Sequence, residues 1–179
     1  AEARLIAGHV LGVSLGELGL RLRDAVPEAA LAAAQGLLDG RRRREPLPYL
    51  LGEVWFMGLR LRCDARALVP RPETELLAEA ALDWLRDRPG ATVADIGTGG
   101  GCLALAIAHA CPTCRVVATD ISPAALDLAR ENAAALGLAH RVTLLRGDLL
   151  DPLHGAGLAG SVSALVANLP YLSEDEYAA

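Results

Sequence analysis

Hydrophobic residues follow a helical period at the start of the chain and a strand period after it. Leucines follow SLGE at helical spacing, and Ser14 and Glu17 in that stretch have the spacing of an N-terminal capping box. In LRLRC, residues 59–63, apolar and charged side chains alternate as they do in a half-buried strand, and VWFMG before it predicts a β-hairpin. The change of period places a domain boundary near residues 46–54.

A third pattern begins near residue 91, where short apolar runs alternate with helical segments. The predicted strands are TVADI, RVVATD, VTLL and SVSALVAN. An amphipathic helix, introduced by Pro72 in LVPRPETELLAEAALDWL, precedes them. Strands separated by helices predict βαβ units and a parallel sheet, so the expected fold class is α/β.

Composition and charge exclude some classes of function. The chain is 53% hydrophobic with a net charge of −5, so it lacks the basic field that holds nucleic acid through phosphates. No apolar run reaches the ~18 residues of a membrane span, and no signal peptide is recognisable. We therefore expect a cytoplasmic protein with no membrane partner and disfavour nucleic acid as a substrate. Without secretory signals, the cysteines are expected to be reduced thiols.

A glycine-rich turn, GTGGG at residues 97–101, follows the strand TVADI and opens a helix. Glycines there let the backbone turn tightly and approach a ligand closely. The dinucleotide fingerprint is incomplete because Cys102 stands where it requires glycine. Asp95 precedes the turn, and Asp120 ends the next strand, where an acid commonly meets ribose hydroxyls. Acids beside such a turn suit a cationic ligand that contains ribose and no phosphate, and S-adenosylmethionine is one.

Two further strand ends carry polar residues. Asp148 could reach an adenine amino group, although an ordinary turn aspartate is an equal interpretation. After SVSALVA, Asn168 offers an amide acceptor, Pro170 fixes the backbone so that a carbonyl can point into the site, and Tyr171 provides a flat wall. Such a set can hold a planar NH2 group, either the amide of glutamine or the amine of adenine or cytosine. The carboxyl ends of parallel strands share one edge, so we expect these loops to lie side by side.

The chain resembles the HemK/PrmC family of protein-(glutamine-N5) methyltransferases, which act on peptide chain release factors. The resemblance lies in PLPYLLGEVWFMGLRL, LVPRPETELL, DIGTGGGCLALAIA, TDISPAALDLARENA, GDLL and VANLPY. It implies a class I methyltransferase fold, which is a Rossmann-like, mostly parallel sheet, with a small all-α N-terminal domain joined by a β-hairpin. The implied division is a helical substrate-recognition domain at 1–46, a linker and hairpin at 47–66, and an S-adenosylmethionine-dependent methyltransferase domain at 67–179. Further strands are expected beyond residue 179.

The resemblance also implies roles for particular residues. The expected contacts of S-adenosylmethionine are Asp95, Gly97, Thr98, Gly99, Gly100, Gly101, Asp120, Ile121, Asp148, Leu149 and Asn168. Glutamine is expected to be bound by Asn168, Leu169, Pro170 and Tyr171, and Asn168, Pro170 and Tyr171 are the candidate catalytic residues. Arg71, Glu73 and Thr74 in PRPETE either cap a helix or shape the mouth of the site. No metal is expected.

The expected function is S-adenosylmethionine-dependent N5-methylation of a glutamine in peptide chain release factors. Two alternatives stay open. The first is an adenine-N6 methyltransferase of rRNA or DNA, because Leu169 replaces the second residue of the family's N-P-P-Y and approaches the N-[LI]-P-[YF] of rRNA adenine dimethyltransferases. The second is a donor-binding fragment without catalysis.

Overall fold

The computed structural model describes residues 2–21 and 23–169. Its helices are α1 (Glu2–Leu11), α2 (Leu15–Leu20), α3 (Glu28–Arg42), α4 (Leu47–Leu51), α5 (Pro72–Leu85), α6 (Cys102–Ala110), α7 (Pro123–Ala135) and α8 (Asp151–Gly155). Its strands are β1 (Glu53–Phe56), β2 (Leu59–Arg62), β3 (Thr92–Ile96), β4 (Arg115–Asp120), β5 (Val142–Arg146) and β6 (Ala164–Ala167). Within these ranges, no helix is both long enough and apolar enough to cross a membrane.

The N-terminal quarter of the chain is helical. The capping box forms, because the Ser14 side chain accepts from the Glu17 N–H at 3.2 Å while the Glu17 carboxylate accepts from the Ser14 N–H at 2.9 Å. The arginine run 41–44 ends α3 and is largely occupied by ion pairs: Arg41 with Glu2, Arg42 with Asp39 and Arg43 with Glu45. Most of the arginine run is therefore explained as the charged C-terminal end of α3.

Strands β1 and β2 form the antiparallel hairpin that the alternating pattern predicts. Leu59 and Leu61 are buried and the arginines between and after them are exposed. Met57 and Gly58 both have positive φ, 49° and 75°, which gives the turn a backbone twist that matches the strands. The Met57 N–H donates to Glu75 Oε1 at 2.7 Å, so the hairpin turn is tied to the first turn of α5.

The four-stranded sheet has the order β5-β4-β3-β6, and every neighbouring pair is parallel. The predicted parallel sheet is therefore present. Strand β3 lies inside it, with Ile96 in register with Thr119 of β4 and with Ala167 of β6. The main core is built on this sheet and includes Val93 and Ile107, neither of which is exposed to solvent. The carboxyl ends of the strands consequently form one edge.

Two local expectations differ from the structure. Strand β6 begins only at Ala164, because the chain just before it turns back on itself: the Ser161 N–H and hydroxyl both donate to the Leu158 carbonyl. Cys111 and Cys114 form a disulfide, where reduced thiols were expected. The CPTC turn holds their Cα atoms 5.5 Å apart, within the range that a disulfide spans.

The two faces of β2 should differ in their contribution to stability. Leu61→Ala leaves a cavity under the hairpin and should lower the free energy of unfolding by about 2–5 kcal/mol, measured by urea denaturation. Arg60→Ala, on the exposed face, removes a surface ion pair with Glu53 and should cost about 1 kcal/mol or less. Equal losses in the two variants would contradict the alternation of buried and exposed faces.

Candidate functional site

The glycine turn, residues 97–101, follows β3. Its backbone conformation is one that residues with side chains disfavour. Gly97, Gly99 and Gly101 have φ values of 69°, 56° and 86°. The Thr98 N–H donates to the Thr119 carbonyl at 2.9 Å, which fastens the turn to the end of β4. Gly101 then forms the N-cap of α6. The turn can therefore present its backbone N–H groups closely to a ligand.

Asp120, at the end of β4, holds the glycine turn through its side chain. One carboxylate oxygen accepts from the Gly99 N–H and the other from the Ser122 N–H, both at 2.8 Å. These bonds position the turn and the start of α7. A carboxylate has about four acceptor positions, so it can still accept from ribose hydroxyls.

Asp95 lies beneath the turn and is 1% exposed. Its Oδ2 accepts from the Thr98 hydroxyl at 2.6 Å and from the Ala104 N–H at 3.1 Å. Its Oδ1 is buried and has no hydrogen-bond partner among the described residues. Burial raises the pKa of Asp95 to about 6, and the nearby Asp120 adds to the rise. A buried carboxyl with one unsatisfied oxygen suits a cationic ligand.

Asn168 and Leu169 lie beside the glycine turn, as the topology predicts. Asn168 borders the same cavity of about 60 Å³ as Asp95 and Gly97. A Cβ placed on Gly97 would come within 2.5 Å of Leu169 Cδ2, so the two loops are in contact. Pro170 and Tyr171, which were expected to complete the substrate grip, lie outside the described residues.

The PRPETE stretch reaches this cavity through Thr74. The Thr74 side chain is almost fully buried in the first turn of α5, and its hydroxyl accepts from Asn168 Nδ2 at 2.8 Å. Arg71 and Glu73 line a second cavity, of about 380 Å³, together with Thr74 and Asn168. PRPETE was expected either to cap a helix or to shape the mouth of the site. These positions beside Asn168 favour the second interpretation.

The remaining expected donor contacts lie at the ends of β4 and β5. Ile121 and Leu149 are 65% and 51% exposed, so both present apolar surface to a ring. Leu149 has a positive φ of 40°, and its carbonyl accepts from the Thr119 hydroxyl at 3.1 Å. Asp148 is exposed beside it. The structure brings these three residues to the same edge of the sheet as Asp120.

Asn132 is a residue of the site that the sequence analysis missed. It is 2% exposed on α7, and its Oδ1 accepts from the Arg62 N–H at 2.7 Å. Its Nδ2 donates to the Arg62 carbonyl at 3.2 Å and to the Gly100 carbonyl at 2.9 Å. Asn132 thus joins the end of the hairpin to the glycine turn. The available signal was an amide on the apolar face of a predicted helix.

The segment after β2, residues 64–70, lies over the glycine turn and is fixed from two sides. The Tyr49 hydroxyl of α4 donates to the Ala67 carbonyl at 2.8 Å. Arg66 makes bidentate hydrogen bonds to Glu131 of α7, at 2.7 and 3.0 Å. Hydrogen bonds from Arg66 and Arg62 lower the pKa of Glu131 to about 2. These contacts were not foreseen either, and they connect the N-terminal helices to the site.

Comparison with known proteins gives the family. A model described as a methyltransferase domain matches residues 93–179, and one described as the PrmC N-terminal domain matches residues 1–52. The chain is 45% identical to a release factor glutamine methyltransferase of Moorella thermoacetica over 96% of this chain and 59% of the relative. It is 47% identical to one of Deinococcus radiodurans, with the same coverage of 96% and 59%. The chain thus spans less than two thirds of the length of these relatives.

A solved structure supports the fold. The SAM-dependent methyltransferase from Agrobacterium tumefaciens matches with a TM-score of 0.55 and 22% identity, over 66% of this chain and 39% of that one. The class I methyltransferase fold that the sequence predicts is confirmed. The match to a methyltransferase domain confirms S-adenosylmethionine as the expected donor. Its N-terminal helices and its sheet domain both match, and relatives 45% and 47% identical that are named release factor glutamine methyltransferases align over 96% of it, so the chain belongs to the PrmC family.

Proposed function

We propose that this chain carries the donor-binding and catalytic part of an enzyme that methylates N5 of a glutamine side chain in a peptide chain release factor. The observation that carries the proposal is the contact between the glycine turn and the Asn168 loop, which line one cavity at the carboxyl edge of the sheet. The names of the relatives support the substrate. The proposal includes a cytoplasmic location and no membrane partner, as the composition indicates, and the division at residues 46 and 66 remains a prediction.

The described residues fit S-adenosylmethionine as the methyl donor. This donor supplies a methyl group made electrophilic by its sulfonium. The glycine turn would allow its close approach, Asp120 would accept from the ribose hydroxyls, and Asp95 would offer its unsatisfied buried oxygen to the positive charge. Ile121 and Leu149 would pack against the adenine ring, and Asp148 would accept from its amine.

The main chemical difficulty is that the nitrogen of the substrate amide is a poor nucleophile, because its lone pair is delocalised into the carbonyl. In this proposal Asn168 overcomes that difficulty. The Asn168 Oδ1, with the backbone carbonyl of Leu169 or Pro170, would accept from the two N–H bonds of the glutamine amide and turn the lone pair towards the methyl group. As the N–C bond forms, the S–C bond of the sulfonium would break with its electron pair left on sulfur, so that the demethylated thioether leaves, and the nitrogen would release one proton to solvent. Fixing the reacting atoms ~3 Å apart supplies much of the rate, because effective molarities reach about 10⁵ M and above.

One observation favours a second function, methylation of adenine N6 in rRNA or DNA. Leu169 replaces the first proline, the second residue, of the family tetrapeptide N-P-P-Y. The same two acceptors would hold an adenine amine, which is also a planar NH2 group. The net charge of −5 disfavours a nucleic-acid substrate. Incubation with labelled donor and either a release factor or rRNA separates the two, since label in only one of them identifies the substrate.

Asn168→Ala should remove the transfer while leaving donor binding intact. Mass spectrometry of a release factor incubated with the chain and donor should show one added methyl on a glutamine. The variant should lower kcat by about 10²–10³, as the loss of one hydrogen-bonding group for a reacting atom does in other enzymes. Donor affinity, measured by calorimetry, should change far less than kcat, because Asn168 is only one of the expected donor contacts.

The control for this variant is Leu165→Ala, at an exposed position of β6 just before the Asn168 loop, which should keep full turnover. Equal turnover in Asn168→Ala and the unaltered chain would contradict the role of Asn168. Donor binding with no methylation by the unaltered chain would favour the non-catalytic fragment.

Asp120→Asn should weaken donor binding. The variant keeps the size of the side chain and removes the charge that strengthens hydrogen bonds to ribose hydroxyls, so the dissociation constant should rise about 10- to 100-fold. Calorimetry measures this directly. Asp127→Asn, an exposed aspartate of α7, is the matched control and should bind the donor normally. An unchanged dissociation constant in Asp120→Asn would refute the assignment.

Donor affinity should depend on pH through Asp95. Its pKa lies near 6, and only the ionised carboxylate attracts the cationic donor, so affinity should fall as the pH is lowered through about 6, by at most about tenfold per pH unit. Without donor, the folded chain keeps this proton up to about pH 6 while the unfolded chain loses it near 3.8. The free energy of unfolding should therefore decrease as the pH rises through that window. Asp95→Asn should flatten both profiles, and a calorimetric affinity profile that the variant leaves unaltered would show that Asp95 does not face the donor.

A further inference from the structure

The two ends of the Asn168 carboxamide have opposite hydrogen-bonding character. Its oxygen accepts and its NH2 group donates. The substrate in the proposed function also presents an NH2 group, so only the oxygen of Asn168 can bind it productively. If the carboxamide were rotated by half a turn, two NH2 groups would face each other. The orientation of this side chain therefore determines whether bound substrate is held in the arrangement that methyl transfer requires.

The structure contains a group that sets this orientation. Asn168 Nδ2 donates to the Thr74 hydroxyl at 2.8 Å, which directs Nδ2 towards α5 and leaves Oδ1 available on the other side. A threonine hydroxyl can accept or donate, so the direction of this hydrogen bond is the decisive feature. In the observed direction the hydroxyl is the acceptor.

Thr74 is well fixed for this task, whereas Asn168 is only half-buried on a loop. Thr74 is 4% exposed, and its N–H donates to the Arg71 carbonyl at 3.0 Å in the first turn of α5. The next residue, Glu75, accepts from the Met57 N–H of the hairpin turn. A packed helix end tied to the hairpin thus holds the more exposed amide of the loop.

We infer that Thr74 is a positioning residue for methyl transfer: its hydroxyl engages the NH2 group of Asn168 and so presents the Asn168 oxygen to the NH2 group of the substrate. This inference rests on the proposed function. In this role Thr74 acts through Asn168 and not through a contact of its own with the reacting atoms. A threonine in PRPETE would then serve to orient Asn168 as well as to begin α5.

Thr74→Val tests the inference because valine has nearly the same shape and no hydroxyl. In this variant the Asn168 NH2 group has no acceptor at position 74, also when substrate is bound. The cost of an unsatisfied buried donor should reduce kcat about 5- to 100-fold, with the donor dissociation constant and KM little changed. Thr74→Ser restores the hydroxyl and should keep kcat within about threefold of the unaltered protein. Thr143→Val, at an exposed position of β5, controls for the substitution itself.

A second measurement does not depend on activity. In the ¹H–¹⁵N NMR spectrum of the chain without substrate, one proton of the Asn168 NH2 group should be shifted downfield and protected from exchange. Thr74→Ser should keep this signature and Thr74→Val should lose it. A helix-capping role for Thr74 alone would alter the stability of these variants without changing this NH2 signal.

The outcomes separate the inference from the proposed function. Loss of the NH2 signature and of kcat in Thr74→Val, with both kept in Thr74→Ser, supports the inference. An unchanged NH2 signal in Thr74→Val, or a kcat equal to that of the unaltered protein, overturns it. If the NH2 signals behave as expected but the unaltered protein methylates no release factor, the proposed function fails and a role of Thr74 in that transfer fails with it, while the orientation of Asn168 stands.

Discussion

The parallel pairing of β3 with β6 is the constraint on which the site depends. Ile96 and Ala167 are in register. The glycine turn and the Asn168 loop therefore begin side by side, at the ends of adjacent strands. A slip of one residue in this register would turn Asn168 to the other face of the sheet, because side chains alternate along a strand. The nearly continuous burial of β3 fixes the register, since both of its faces are packed.

Polar side chains in the site hold backbone groups that the sheet and helices leave unpaired. Each of Asp95, Asp120 and Asn132 accepts from a main-chain N–H group, at a helix start, in the glycine turn and at the end of β2 respectively. Because buried polar groups must be paired, each of these bonds fixes one segment at a definite place around the cavity. The hairpin end, the glycine turn and the start of α7 are thereby held as one unit. The elements that precede the sheet in the chain are thus part of the site through hydrogen bonds.

The sequence predicted those features that depend on local period and on the topology of parallel sheets. The glycine turn, the strand ends and their common edge follow from patterns within a few residues. Asn132 could not be found in this way, because its partners are backbone atoms of Arg62 and Gly100, and a bond to a backbone group leaves no trace in the side chain of the partner. The start of β6 differs for a related reason: the apolar run predicts a longer strand, whereas Ser161 bonds to the backbone carbonyl of Leu158 in a local turn.

The replacement of a proline by Leu169 bears on the donor side of the cavity. The Leu169 side chain occupies the space that the absent side chain of Gly97 leaves, since a Cβ there would lie 2.5 Å from Leu169 Cδ2. Gly97 is needed for its positive φ as well, so two separate requirements select glycine at this position. A proline ring is shorter and could not fill this space in the same way. The glycine turn and the Asn168 loop are packed against each other through this contact, and a shift in one must therefore displace the other.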